Sequence, residues 1–122
     1  IIITGSRAWQ DEAYMRSILE HITSEMSDRP QFLMGDCEGA DTIARKILMD
    51  LGFQCVTLEA DWDRNGKAAG PLRNQAMVDS PCVSDVWAFV PDLDSTRCRG
   101  TQDTIRRAQQ KGVPVRIFLQ PS

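Results

Sequence analysis

The sequence is poor in the residues that most enzymes use for proton transfer and metal binding. It has one histidine, His21, which falls on the polar side of a helical stretch and away from the loops. No Ser-His-Asp or Cys-His arrangement can be assembled around it, so any acid–base step falls to carboxylates. No apolar run approaches the roughly 20 residues that cross a bilayer, which predicts no membrane partner. The four cysteines, Cys37, Cys55, Cys82 and Cys98, are widely spaced and form no C-x-x-C pair. That argues against a zinc site, predicts free thiols in the cytoplasm, and makes Cys55 a small core residue. No metal and no cofactor are predicted. Basic charge is not in surplus: the net charge is -3. A dedicated nucleic-acid binder needs a basic surface to displace counterions, so the balance argues against one while leaving room for a local basic pocket. The chain opens directly on Ile1-Ile2-Ile3, which predicts no signal peptide and a residue or two missing before it.

What is present is ordinary soluble-domain composition: 122 residues, 42% apolar and 25% charged. That length suits one domain, residues 1–122, with a real hydrophobic core. Strand-like and helix-like stretches alternate. Ile1 to Thr4 is a β-branched run, and apolar positions at Met15, Ile18, Leu19, Ile22 and Met26 predict a helix from about Asp11 to Met26. Gln31 to Met34 reads as a buried strand. Ile43, Ala44, Ile47, Leu48 and Leu51 share a helical face that Gly52 ends. Gln54 to Leu58 is the third strand, and Asp61 to Gly70 reads as a long polar loop. Pro71 opens a helix to about Asp79. Val86 to Val90 is the fourth strand, Thr101 to Lys111 the last helix, Gly112 its C-cap, and Val113 to Leu119 the last strand. Five strands separated by four helices predict an α/β, Rossmann-like domain: a five-stranded, mainly parallel sheet flanked by helices on both faces. Ligands of such sheets bind beyond the carboxyl ends of the strands, where the strand order switches.

Four strand-to-helix loops therefore carry the candidate residues. In the first, Thr4, Gly5, Ser6 and Arg7 offer hydroxyls, close backbone approach and a bidentate phosphate clamp, and Trp9 offers a stacking surface. The alternative is a plain turn with a core tryptophan. In the second, Gly35, Gly39 and Ala40 allow close approach to a helix N-terminus. Asp36, Glu38 and Asp41 would repel phosphate there, so they either hold ribose hydroxyls or, for Asp41, serve the helix dipole. The third crowds Asp61, Trp62, Asp63, Arg64 and Lys67 before Arg73 and Asn74, both placed in the first helical turn. A cation there is unfavourable to the dipole, so it calls for an anionic ligand or an ion-pair network. In the fourth, Ser95, Thr96, Arg97 and Arg99 precede Gly100-Thr101 at a helix start, with Asp103 in its first turn. It is an anion-binding arrangement or an ordinary cap. Arg106, Arg107 and Lys111 read as a solvated helix face.

Taken in order, Thr4-Gly5-Ser6-Arg7, Gly35-x-x-x-Gly39-Ala40-Asp41, Ala60-Asp61-Trp62, Ala69-Gly70-Pro71-x-Arg73-Asn74-x-x-Met77 and Arg99-Gly100-Thr101 resemble the YspA/YpsA-related branch of the SLOG superfamily. The resemblance spans nearly the whole chain. It implies a Rossmann-like fold that binds nucleotides or nucleotide-derived ligands. The superfamily includes the LOG phosphoribohydrolases, which release the base of a nucleoside 5'-monophosphate and imply a homodimer. It also includes DprA, which binds single-stranded DNA, and sensors of NAD-derived signals. The phosphoribohydrolases have an arginine that matches Arg73 and a Pro-Gly-Gly-x-Gly-Thr-x-x-Glu loop that matches the stretch around Gly100-Thr101. This chain lacks the Pro-Gly-Gly lead, and the position of the catalytic glutamate is Thr104. Asp103 is one residue earlier, about 100° away around a helix. Glu38 stands where the branch has a basic residue.

The resulting expectation is a nucleotide-type ligand, a nucleoside monophosphate or an ADP-ribose/NAD-type molecule. Arg7, Arg73, Arg99 and Gly100-Thr101 would hold its phosphate, Asp61 a ribose hydroxyl, and Trp9 or Trp62 would stack. Two alternatives stand beside it. One is phosphoribohydrolysis with Arg73 and Asp103 as the catalytic residues, and the other is a single-stranded nucleic-acid module.

Overall fold

Apolar periodicity and the placement of glycine and proline decide the elements, and the computed structural model describes residues 1–36, 38–81, 83–92 and 99–121. In chain order they are β1 (Ile2–Gly5), α1 (Glu12–Ser24), β2 (Phe32–Gly35), α2 (Ala40–Asp50), β3 (Cys55–Leu58), α3 (Trp62–Asn65), a 3-10 turn (Gly66–Ala68), α4 (Ala69–Val78), β4 (Val86–Val90), α5 (Arg99–Gln110) and β5 (Val115–Leu119). Asp11 starts α1 as its side chain accepts from the Tyr14 amide at 2.9 Å. Gly52 (φ 86°) and Gly112 (φ 79°) end α2 and α5 in the left-handed conformation that L side chains avoid.

The sheet runs β3-β2-β1-β4-β5, and every pair is parallel. The expected α/β, Rossmann-like fold is therefore present. All five β4 residues are buried, as a strand covered on both faces requires. Successive side chains of β1 point to opposite layers. Ile3 packs with Met15 and Leu19 of α1 and Ala44, Ile47 and Leu48 of α2, while Ile2 packs with Met77 and Val78 of α4 and Ala108 of α5. The helices thus cover the two faces in pairs. Cys55 is half-buried against the α1/α2 layer, where burial pushes its thiol pKa up. No helix among the described residues is long and apolar enough to cross a membrane.

Three expectations are corrected. The stretch from Asp61 to Gly70 is not a loop: Asp61 caps α3 by accepting from the Arg64 amide, and α4 begins at Ala69 rather than Pro71. Arg73 and Asn74 therefore occupy the second turn of α4, clear of the N-terminal dipole that made Arg73 look misplaced. The last helix starts at Arg99, two residues before Thr101. Trp9 is no stacking platform: it is 1% exposed. It lies edge-on to Phe89 with centroids 5.5 Å apart, and its indole N–H donates to the Asp11 carbonyl at 3.0 Å. The turn from Ser6 to Asp11 folds the indole under the start of α1, where its large apolar surface is worth most.

Candidate functional site

The strand order sets where a ligand can sit. From β1 the chain proceeds through α1 to β2 on one side, whereas β4 lies on the other side of β1. The loops leaving β1 and β4 consequently diverge and open a crevice between them, the switch point of a doubly wound sheet. A cleft of about 750 Å³ occupies it, within the range of small-molecule sites. Thr4, Gly5, Ser6 and Arg7 form one wall at the end of β1, and Arg99, Gly100 and Thr101 form the facing wall. Trp62, Gly70, Pro71 and Met77 supply the apolar surface.

The glycines of the first two loops serve the protein's own packing. A Cβ on Gly5 would overlap that of Ala40 and stand 2.6 Å from the Phe89 carbonyl. Gly39, at φ 82°, would bring one to 2.6 Å from the Arg7 carbonyl. The N-terminus of α2 is thereby drawn onto the β1 loop, and the Ala40 amide donates to the Ser6 carbonyl at 3.1 Å. With that amide spent, the buried Asp41 in the first turn places negative charge where an anion would otherwise be favoured. Gly39 and Ala40 do not line the cleft. Asp41 does, and it also lines a second, smaller depression with Gly35 and Asp36.

Gly35 admits an arginine. A Cβ there would stand 2.5 Å from Arg73 Nη1 and 3.0 Å from Asp41 Oδ2, so the guanidinium lies directly on the end of β2. Arg73 is 9% exposed. Its Nη1 donates to Asp36 Oδ1 at 2.7 Å and to the Leu58 carbonyl at 3.4 Å, and its Nε donates to Asn74 Oδ1 at 2.9 Å. This side chain ties α4 to the ends of β2 and β3. It is the ion-pair network that the third loop left open as an alternative to phosphate binding.

Asn74 carries the chain of contacts onward. Its Nδ2 donates to Asp103 Oδ2 at 3.0 Å and to the Gly100 carbonyl at 3.4 Å. Asp103 also accepts from Arg106 at 2.6 Å and from Arg107 Nε at 2.9 Å. Burial alone would raise the Asp103 pKa, but the hydrogen bonds from Arg107 and Asn74 and the charges of Arg107 and Arg106 outweigh it. They hold the carboxyl below its usual value. Asp103 lines the cleft as a carboxylate committed to three donors. Thr104, at the position of the glutamate in the phosphoribohydrolase loop, is fully buried and does not line the cleft. Its hydroxyl donates to the Gly100 carbonyl at 3.2 Å.

The cleft wall carries four arginines (Arg7, Arg73, Arg99, Arg106) against two aspartates (Asp41, Asp103). A chain of net charge -3 thus concentrates positive charge at one place. Among the described residues, Arg7 and Arg99 have no ion-pair partner. Trp62 stands at the rim, 51% exposed, with its ring against Gly70, where a Cβ would meet Cη2 at 3.4 Å. The structure does not bring Trp9, Gly35 or Asp61 into the cleft. Ser95, Thr96 and Arg97 lie outside the described residues, as do Cys37, Cys82 and Cys98. It adds Gly70, Pro71, Met77, Gln102 and Arg106, and Arg106 lines the cleft while its side chain stays largely solvated, as the sequence leads one to expect. The signal for Gln102 and Arg106 is their spacing of three and seven from Arg99, which puts all three on one helical face. Among the described residues no three His, Cys, Asp or Glu side chains are grouped to hold a metal.

No protein-family model and no solved structure matches the chain. It is similar to the gene 61 protein of Mycobacterium phage D29, with 36% identity over 127 residues, covering 97% of this chain and 94% of that protein.

Proposed function

The chain belongs to the family of the gene 61 protein of Mycobacterium phage D29, and we propose that it binds a nucleotide-type ligand in the crevice between β1 and β4. One observation carries this reading: Arg7 and Arg99, without acidic partners among the described residues, share a cleft with the half-exposed indole of Trp62. The phosphate sits between the two arginines and the first turn of α5, whose amides and dipole favour an anion. The hydroxyls of Ser6 and Thr101 stand on the two facing walls. The base stacks on Trp62. Arg73 serves as a strut beneath this site, and Asp41 rather than Asp61 is the carboxylate placed for sugar hydroxyls. The loop order that resembles the SLOG superfamily supports the same ligand class, a nucleoside monophosphate or an ADP-ribose/NAD-type molecule.

Binding is favoured over cleavage by the state of the two positions where a catalytic carboxylate would stand. Thr104 replaces the glutamate and faces the core. Asp103 is engaged by two arginines, which offset the negative charge that an oxocarbenium-like sugar would need. A single-stranded nucleic-acid module is disfavoured because stacking platforms come in series, and Trp62 is the one tryptophan that lines the cleft.

The test is calorimetry with AMP, ADP-ribose, NAD and cyclic dinucleotides. At least one should bind, quench the fluorescence of Trp62, and lose roughly tenfold or more in affinity in Arg99→Ala, as expected for a charge-assisted contact. No heat from any of them at millimolar concentration overturns the proposal. Release of free base from AMP would replace it with the hydrolase.

A further inference from the structure

The cleft is longer than one phosphate and one base require. Besides Gly100, Thr101 and Pro71 near the helix starts, it is lined on α5 by Arg99, Gln102, Asp103 and Arg106 and on α4 by Gly70, Arg73, Asn74 and Met77. Both sets repeat at intervals of three or four over seven residues. Seven residues of helix advance about 10 Å, so the cleft follows the groove between α4 and α5 for about two turns from their N-terminal ends. An arginine stands at each end of the α5 row.

We propose that this groove takes a ligand with two separate acidic groups, one held at Arg99 and the other at Arg106. The proposal rests on the nucleotide site described above and adds a second anion subsite to it. In the structure Arg106 lies on Asp103, but it is the exchangeable member of that cluster. Its side chain is 63% exposed, against 25% for Arg107 and 15% for Asp103. When Arg106 turns to a ligand, Asp103 keeps the Arg107 and Asn74 hydrogen bonds and is not left as a buried unpaired charge. Arg107 cannot be released as cheaply, because it also donates to Gln75 Oε1 at 2.8 Å and locks α5 to α4. Two arginines on one helical face, leaning into the groove, are suited to phosphates on opposite ends of a single ribose.

Calorimetry with AMP, ADP and adenosine 3',5'-bisphosphate separates charge from its placement. ADP adds its phosphate at the same end, the bisphosphate at the other. The bisphosphate is expected to bind roughly tenfold more tightly than ADP, the increment of one added charge-assisted contact. Arg106→Ala should erase that preference, and Arg106→Lys should restore a portion of it. Equal affinities for ADP and the bisphosphate, or a preference that survives Arg106→Ala, overturn the second subsite. If AMP still binds in that case, the nucleotide site stands and this inference alone falls. If none of the three binds, the second subsite falls, and the nucleotide site stands or falls with ADP-ribose, NAD and the cyclic dinucleotides.

Discussion

Two tryptophans, equivalent in composition, have opposite consequences. Trp9 is sealed between α1 and Phe89, and Trp62 leans on Gly70 at the rim of the cleft. Replacing Trp9 by alanine should cost about 3–5 kcal/mol of stability, as large buried aromatics do. Trp62→Ala should change stability by less than about 0.5 kcal/mol while abolishing the fluorescence response to ligand. Thermal unfolding and titration of the two variants distinguish them. The sequence places both residues just after a strand and beside loop residues suited to binding, and nothing local separates them. What separates them is the turn from Ser6 to Asp11. It is pinned by the Gln10 and Asp11 amides, which donate to the side chain of Gln120, more than a hundred residues away. Gly35 teaches the same lesson. It reads as room for a ligand, yet the space is filled by Arg73, whose arrival depends on α4 packing against the end of β2.

At the level of elements, the sheet and its helices were legible because each strand is a short apolar run and each major helix repeats its apolar residues at helical spacing. The start of α4 was not legible. Gly70 and Pro71 are weak helix formers in sequence, and the two short helical turns before them bury nothing of their own. The angular phase of α5 decides the chemistry. Arg99, Thr101, Gln102, Asp103 and Arg106 line the cleft, whereas Thr104, Ile105 and Ala108 are buried away from it. Restoring a glutamate by Thr104→Glu should therefore not create a hydrolase. The carboxylate would enter a fully buried position and destabilise the protein by several kcal/mol or be held protonated. Chemical denaturation should show the loss, and incubation with AMP should release no base. Appearance of free base would mean that α5 can rotate its inner face to the cleft.

For the molecule as a whole, the Asp103 cluster couples the two helices that flank the crevice to pH. The Asp103 pKa is lowered in the folded state, so the unfolded chain binds more protons in the window between the two values. There stability rises with pH. The contribution is complete above the unfolded carboxylate value, about 3.9, and is lost as pH falls through the depressed folded value. Asp103→Asn should lower stability at neutral pH and flatten the acid limb of the unfolding curve, measured by denaturant melts between pH 2 and pH 7. An unchanged acid limb would place the acid sensitivity elsewhere.

The position of β1 has a further consequence, for the time course of folding. β1 is the central strand, paired with β2 through Ile2 and Leu33 and with β4 through Ile2 and Val86. The first half of the chain can assemble β1, β2 and β3 early, since its contacts are comparatively close in sequence. The crevice comes into being only when the distant β4 docks on the exposed edge of β1, the slower kind of event. Until then the two walls of the cleft belong to separate pieces of chain. A ligand held between them recognises only the finished sheet. Its stabilisation should appear almost wholly as slower unfolding, with the rate of folding left as it was.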